Sequence, residues 1–313
     1  MNAPSTAADA DFKRRDAESY DGVAEDFELL TGRYTAPMAN RILPLAGIAG
    51  GDHVLDVGCG TGVLTLRAAR AVGAGGRVVG FDLSEGMLAK AGTLAGEAGL
   101  ADRVTFVRGD AEHMSFRDEV YDAVISLYAL RHFPDPNTAL REMLRCCKRG
   151  GRAMVAIGSA PPLFSAGTVR AGLRAVAELP LRMLGRAPLL APGFLDRLIE
   201  KRLGAGAGPE HAAWTHGIDR FDQGLASLMR DAGFERVRCT WAGQSAVLES
   251  VDDFWTLQVT LSSRARKRLQ AASRAETSAL RAEFDTQCRR HLARGGRLVY
   301  RSGALVAIAS RPR

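Results

Sequence analysis

Lysine is scarce in this chain. Only Lys13, Lys90, Lys148, Lys201 and Lys267 contribute to its 42 basic residues; the others are arginines. The net charge is +7, but the arginines are spread along the chain and mixed with acids, which describes a solvated surface rather than a nucleic-acid track. Cysteine is sparse and unpatterned: Cys59, Cys146, Cys147, Cys239 and Cys288 form no CxxC and no Cys/His metal spacing. That excludes a zinc ribbon and a disulfide framework, and an odd count suits a reducing compartment. Long apolar runs are missing too. The longest uncharged stretch, residues 153–169, is interrupted by Gly158, Pro161 and Pro162, so it reads as a strand entering a loop and not as a membrane span. The first twenty residues carry Asp9, Asp11, Lys13, Arg14, Arg15 and Asp16 and lack the apolar core of a secretory signal, so the expected location is the cytoplasm. There is no internal repeat.

What is present is the balance of a globular protein: 313 residues, 46% hydrophobic and 25% charged. Residues 1–15, rich in Ala, Ser, Thr and charge, predict a disordered start. Residues 16–46 predict helix, with Tyr20, Phe27 and Tyr34 seven apart; this segment either packs an apolar stripe on a sheet or covers a ligand. Five apolar strands follow, alternating with helices: His53–Val57, Arg77–Phe81, Val104–Val107, Tyr121–Leu127 and Arg152–Ile157. That alternation predicts an α/β fold with helices on both faces of a parallel sheet. The regularity lapses in insertions at about 160–215 and 246–295, expected to be helical caps on one domain spanning 16–313. A closing strand is expected within 298–309.

The densest signal is Val54–Gly62, V-L-D-V-G-C-G-T-G. A buried strand runs into Gly58, Gly60 and Gly62 ahead of a helix, where backbone can approach a ligand closely. Asp56 precedes the glycines, where it either faces a ligand or caps the helix. Asp82 closes the second strand and Asp110 follows the third. Ligands of open parallel sheets sit beyond the carboxyl ends of the strands, so these acids converge. One can accept from a ribose diol and another from an adenine amino group. The spacing is G-x-G-x-G after an acid, not the G-x-G-x-x-G of pyrophosphate binders. An acid there suits a cationic amino-acid tail.

These residues resemble the class I S-adenosylmethionine (SAM) methyltransferases: Asp56–Gly62, then Gly80-Phe81-Asp82-Leu83-Ser84 with Met87, then Gly109-Asp110-Ala111-Glu112. The resemblance implies a Rossmann-like, seven-stranded, mostly parallel sheet with an antiparallel last strand. It implies that Asp56, Gly58, Cys59, Gly60 and Gly62 hold the methionine part of SAM. Asp82 would bind the ribose, Leu83 and Met87 would lie near the adenine, and Asp110 and Ala111 would read the adenine edge. Ser126 would join them from the fourth strand, whose following loop faces the methyl. The product would be S-adenosylhomocysteine, and no metal is expected.

That loop, Ser126–Phe133, lacks the Asn/Asp-Pro-Pro-Tyr/Phe of DNA and protein N-methyltransferases. Leu130–Phe133, Ala139–Glu142 and Lys148–Gly151 resemble the ubiquinone/menaquinone C-methyltransferases. Arg131 matches that family's arginine, while His132 stands in place of its asparagine. His132 is the candidate general base, since histidine titrates near neutral pH; Arg131 and Tyr128 complete the candidate catalytic set. His113, His211 and His216 read as turn or cap residues. The expected reaction is methyl transfer to oxygen or carbon of a small, largely apolar acceptor such as a natural product, quinol or lipid-like molecule. An RNA methyltransferase and a SAM-binding module without catalysis are the alternatives. DNA is not an expected partner and RNA is disfavoured; peripheral membrane contact and a homodimer stay open.

Overall fold

The computed structural model describes residues 7–160, 166–184, 186–191, 193–204 and 222–313. In chain order, α1 (Ala7–Asp21), α2 (Ala24–Leu30), a π-helical turn (Thr31–Thr35) and α3 (Ala36–Ile42) lead to β1 (His53–Val57) and α4 (Thr65–Val72). Next come β2 (Arg77–Asp82), α5 (Glu85–Glu97), β3 (Val104–Arg108), β4 (Tyr121–Leu127), α6 (Pro136–Cys146) and β5 (Cys147–Gly158). Then follow α7 (Ala166–Met183), β6 (Leu189–Ala191), α8 (Phe194–Leu203), α9 (Asp222–Asp231) and β7 (Glu235–Leu248). The chain closes with α10 (Val251–Leu261), α11 (Ser263–Ala271), α12 (Arg274–Ala293) and β8 (Leu298–Ser310). It divides into two compact units: Met1–Ala160 with His211–Ala242 and Gly303–Arg313, and Pro161–Glu210 with Gly243–Ser302.

The first unit carries the α/β sheet, in the order β3-β2-β1-β4-β5-β8, with β7 also paired to β8. β1 is central: Leu55 lies in parallel register with Val79 on one side and Val124 on the other. A strand covered on both faces has no polar side to show, which is why Val54, Leu55 and Val57 form a nearly unbroken apolar run. β8 runs antiparallel to β5, with Ala153 opposite Ala309. Alternate residues feed separate cores. Leu55, Val57, Phe81, Val124, Leu140 and Met143 pack on one face, and Val54, Leu64, Ala68, Ile125 and Met154 on the other. Strand order reverses between β1 and β4, the position where open α/β sheets bind ligands.

The second unit has a core of its own. Phe194, Phe254 and Phe284 stack with ring centroids 5.3–5.9 Å apart, and Trp255 meets Phe284 edge-on at 5.0 Å. Buried Gln258 accepts from the Leu195 amide at 2.8 Å, and a Ser273/Glu276 capping box opens α12. β6 pairs in parallel with Leu298–Tyr300.

Three expectations change. Disorder over 1–15 gives way to helix from Ala7 onward, because α1 is tied down by ion pairs that a local reading cannot see; residues 1–6 lie outside the described residues. The single helix over 16–46 is three helices separated by a turn near Gly22 and a π-helical turn. The two cap insertions cluster into one unit because their aromatic residues meet one another. β7 covers 14 residues, and the expected closing strand is β8. His211 and His216 lie outside the described residues.

Candidate cofactor and active site

β1 delivers the chain into the glycine turn. Gly58, Gly60 and Gly62 all take positive φ (71°, 54° and 82°), which L side chains avoid. Space is also short: a Cβ on Gly58 would lie 2.1 Å from the Cβ of Ala129. The loop after β4 therefore packs directly on the turn. The Gly58 and Cys59 amides both donate to the Phe81 carbonyl, at 2.7 and 3.1 Å, binding the turn to β2.

Asp82, at the tip of β2, takes the Gly60 amide on Oδ2 at 2.8 Å and the Ser84 amide on Oδ1 at 3.0 Å. Burial pushes its pKa up, against the pull of these backbone hydrogen bonds. Each oxygen keeps a further lone pair, so the group can still accept from a diol. Ser84 caps α5 by accepting from the Met87 amide, and Met87 is buried beneath. Leu83 is half-buried, and its carbonyl accepts from Arg108. Ala111 is buried in the core.

Asp110 is half-buried. Its Oδ1 takes the Glu112 amide at 2.9 Å and its Oδ2 takes Lys13 Nζ at 2.8 Å. Burial alone would raise its pKa; the Lys13 and Glu112 hydrogen bonds outweigh that and hold it below the ordinary carboxylate value. Lys13 also donates to buried Glu112 at 2.6 Å. Burial disfavours the Lys13 charge, but its two acid partners keep its pKa above the ordinary value.

Three expected site residues have other work. Asp56 is buried and accepts from Thr65 Oγ1 at 2.6 Å, so it braces the first turn of α4; burial lifts its carboxyl to about 7. Ser126 Oγ donates to the Val57 carbonyl at 2.8 Å, a buried stitch between β4 and β1. The Cys59 thiol is buried beside Gly80, its pKa well above the ordinary value through burial, and only its backbone belongs to the turn.

The β4 loop holds the candidate catalytic residues. Tyr128 adopts φ 63°, a left-handed conformation uncommon for an aromatic residue, and donates its amide to the Ala156 carbonyl at 2.7 Å. Arg131 Nη2 donates to the Gly158 carbonyl at 2.7 Å. His132 Nδ1 lies 2.8 Å from Asp16 Oδ2, and its Nε2 lies 3.4 Å from the Tyr20 hydroxyl. The Tyr20 ring meets both His132 and Phe27 edge-on, at 5.5 and 5.7 Å. Lys13, Asp16 and Asp21 were not anticipated as site residues. The signal available was the spacing of Lys13, Asp16 and Tyr20, which places them on one face of a helix that has little apolar stripe to dock otherwise. Among the described residues, no group of three or more His, Cys, Asp or Glu could hold a metal ion.

A glycine turn on a central parallel strand, with carboxylates closing the next two strands, has the layout of the Rossmann-like class, whose open parallel sheets take ligands at this switch point. Residues 54–151 match the family model of the methyltransferase domain. Over 152 residues the chain is 36% identical to a ubiquinone/menaquinone biosynthesis C-methyltransferase of Azotobacter vinelandii, covering 47% of this chain and 60% of that protein. The chain thus spans only about three-fifths of the length of that relative. Among solved structures, the phosphoethanolamine N-methyltransferase 2 of Haemonchus contortus, in complex with SAM, covers 94% of this chain and 57% of its own (16% identity, TM-score 0.51). The [4+2]-cyclase SpnF covers 95% of both chains at 20% identity and a TM-score of 0.55. These two likenesses show the fold.

Proposed function

We propose that this protein transfers a methyl group from SAM to oxygen or carbon of a small, largely apolar acceptor, releasing S-adenosylhomocysteine. The observation that carries this reading is the Asp82 carboxylate hydrogen-bonded to the Gly60 amide across a turn of left-handed glycines. A nucleoside with a cationic tail fits that cradle. Asp82 would hold the ribose hydroxyls, Asp110 the adenine amino group, and the backbone of Gly58–Gly62 the amino-acid tail. Bound there, SAM supplies an electrophilic methyl on a sulfonium. The chain's own contribution is to align an acceptor, exclude water and remove the acceptor's proton. His132 would take the last task, with Arg131 and Tyr128 on the loop that bears it.

The apolar acceptor is supported by the relative named for quinone biosynthesis. It is supported also by α7, which leaves Val169, Leu173, Val176 and Met183 exposed along one face, a surface suited to a lipid-like phase. No described helix is long and apolar enough to cross a membrane. None of the five cysteines is in a disulfide, which suits a reducing cytoplasm.

Calorimetry with SAM and with S-adenosylhomocysteine tests the donor half; no binding of either at ~1 mM would overturn it. Labelled SAM presented with a pool of quinols, phenols and lipids tests the acceptor half, with label expected in an apolar product.

A further inference from the structure

We propose that Asp16, on the N-terminal helix, is the positioning residue that makes His132 a competent general base, so that the base is assembled only when α1 is docked. This inference rests on the methyl-transfer reading above.

The geometry is specific. The Asp16 side chain is buried, a costly place for a carboxylate without a partner, and it lies 2.8 Å from His132 Nδ1. A carboxylate on Nδ1 selects the Nδ1–H tautomer and stabilises the imidazolium that forms when the ring takes a proton. Nε2 is then the proton acceptor, and the Tyr20 hydroxyl sits on that side at 3.4 Å. The groups interacting with the ring are Asp16 and Tyr20 from α1 and Asp82 at the end of β2, while the adjacent Arg131 donates to the Gly158 carbonyl. The loop bearing His132 packs on Gly58, which places the ring beside the proposed donor site.

α1 is pinned on both sides of Asp16. Three residues earlier, Lys13 bridges Asp110 and Glu112. Five residues later, Asp21 accepts from Ser84 Oγ at 2.5 Å and from the Gly86 amide at 2.9 Å. The helix therefore touches the loops after β2, β3 and β4 together, and Asp16 cannot leave His132 without breaking contacts to the residues proposed to read the adenosine.

In the proposed step, the acceptor hydroxyl gives its proton to His132 Nε2. The freed oxygen electron pair bonds the methyl carbon, and the carbon–sulfur pair stays on the donor sulfur. The proton leaves the ring to water afterwards.

The test has a readout independent of turnover. Imidazole 15N shifts of His132 should report the Nδ1–H tautomer in the wild type at a pH where the ring is neutral. In Asp16→Asn, whose side-chain amide can donate to Nδ1, they should report Nε2–H. Asp16→Asn should lower kcat about 100-fold while the KM for SAM stays within about threefold. Asp16→Glu should recover part of the loss, and Asp16→Asn added to His132→Ala should cost little beyond His132→Ala alone. An unchanged tautomer in Asp16→Asn, or additive losses in the double variant, overturns the proposal. If the wild type binds SAM but methylates nothing, the catalytic role falls with the methyl-transfer reading; a tautomer switch in that protein would identify that reading, not the Asp16–His132 linkage, as the part at fault.

Discussion

The glycine turn after β1 and helix α1 approach the same strand ends, yet they are held in place by opposite means. The turn is fixed by lack of room: left-handed backbone, a 2.1 Å approach at Gly58, and two amides on one carbonyl. Helix α1 is sterically close only at its end, where a Cβ on Gly86 would lie 2.9 Å from the Asp21 Cα. Its buried positions include Lys13, Asp16 and Ser19, and its place depends on charged hydrogen bonds to Asp110, Glu112 and His132. A region held by sterics is sensitive above all to an added methyl group; one held by buried charge pairs is sensitive to the state of its partners.

The sharpest way to break this contrast is at Gly58. Gly58→Ala should cost about 3 kcal/mol of stability or more and abolish SAM binding, read by denaturant melts and calorimetry. A variant within about 1 kcal/mol of wild type would show the turn to be slack. Asp82→Ala should weaken SAM about 100-fold, roughly 2.7 kcal/mol, while thermal stability changes much less; equal losses in both would make Asp82 a structural acid.

Asp56 sharpens the comparison from inside the rigid region. Its folded pKa of about 7 stands above the ordinary carboxylate value, so the folded state holds the proton more tightly. The neutral form is favoured by folding, and wild-type stability falls as pH rises from about 4 to about 7. Asp56→Asn removes that dependence. Relative to wild type, it should gain on the order of 2 kcal/mol between pH 5 and pH 8, measured by denaturant melts at both values. A parallel response in both proteins refutes it.

The smallest effect is expected at the latch. Lys13→Met should raise amide exchange across Ala7–Asp21 about tenfold and shift the KM for SAM two- to fivefold, with the sheet core unaffected. The pH window follows from the two shifts. Asp110, depressed, contributes stability above its unfolded pKa and loses it as pH falls through the lower folded value. Lys13, raised, contributes below its unfolded pKa and loses it as pH rises through the higher folded value. Protection of the α1 amides relative to their intrinsic exchange should therefore be high from about pH 4 to about pH 10 and lower outside that range. Constant protection throughout would mean the helix is held by something other than these ions.

The sequence by itself determined the sheet and the glycine turn with the acids at the next strand ends. A central strand buried on both faces must read as an apolar run, and left-handed turns against neighbouring backbone must read as glycine. These signals are local, so Val54–Gly62, Asp82 and Asp110 were legible. Only the tertiary structure decided the internal partners of the polar side chains. Asp56 accepts from Thr65, and Ser126 donates to the Val57 carbonyl. It also joined Phe194, Phe254 and Phe284, far apart in the chain, into a separate core. Above all it brought Lys13 to Asp110 across 97 positions and Asp16 to His132 across 116. A charged residue carries no mark of its partner in the sequence around it. The pairing exists because folding buries both groups together, and buried charge is stable only when matched.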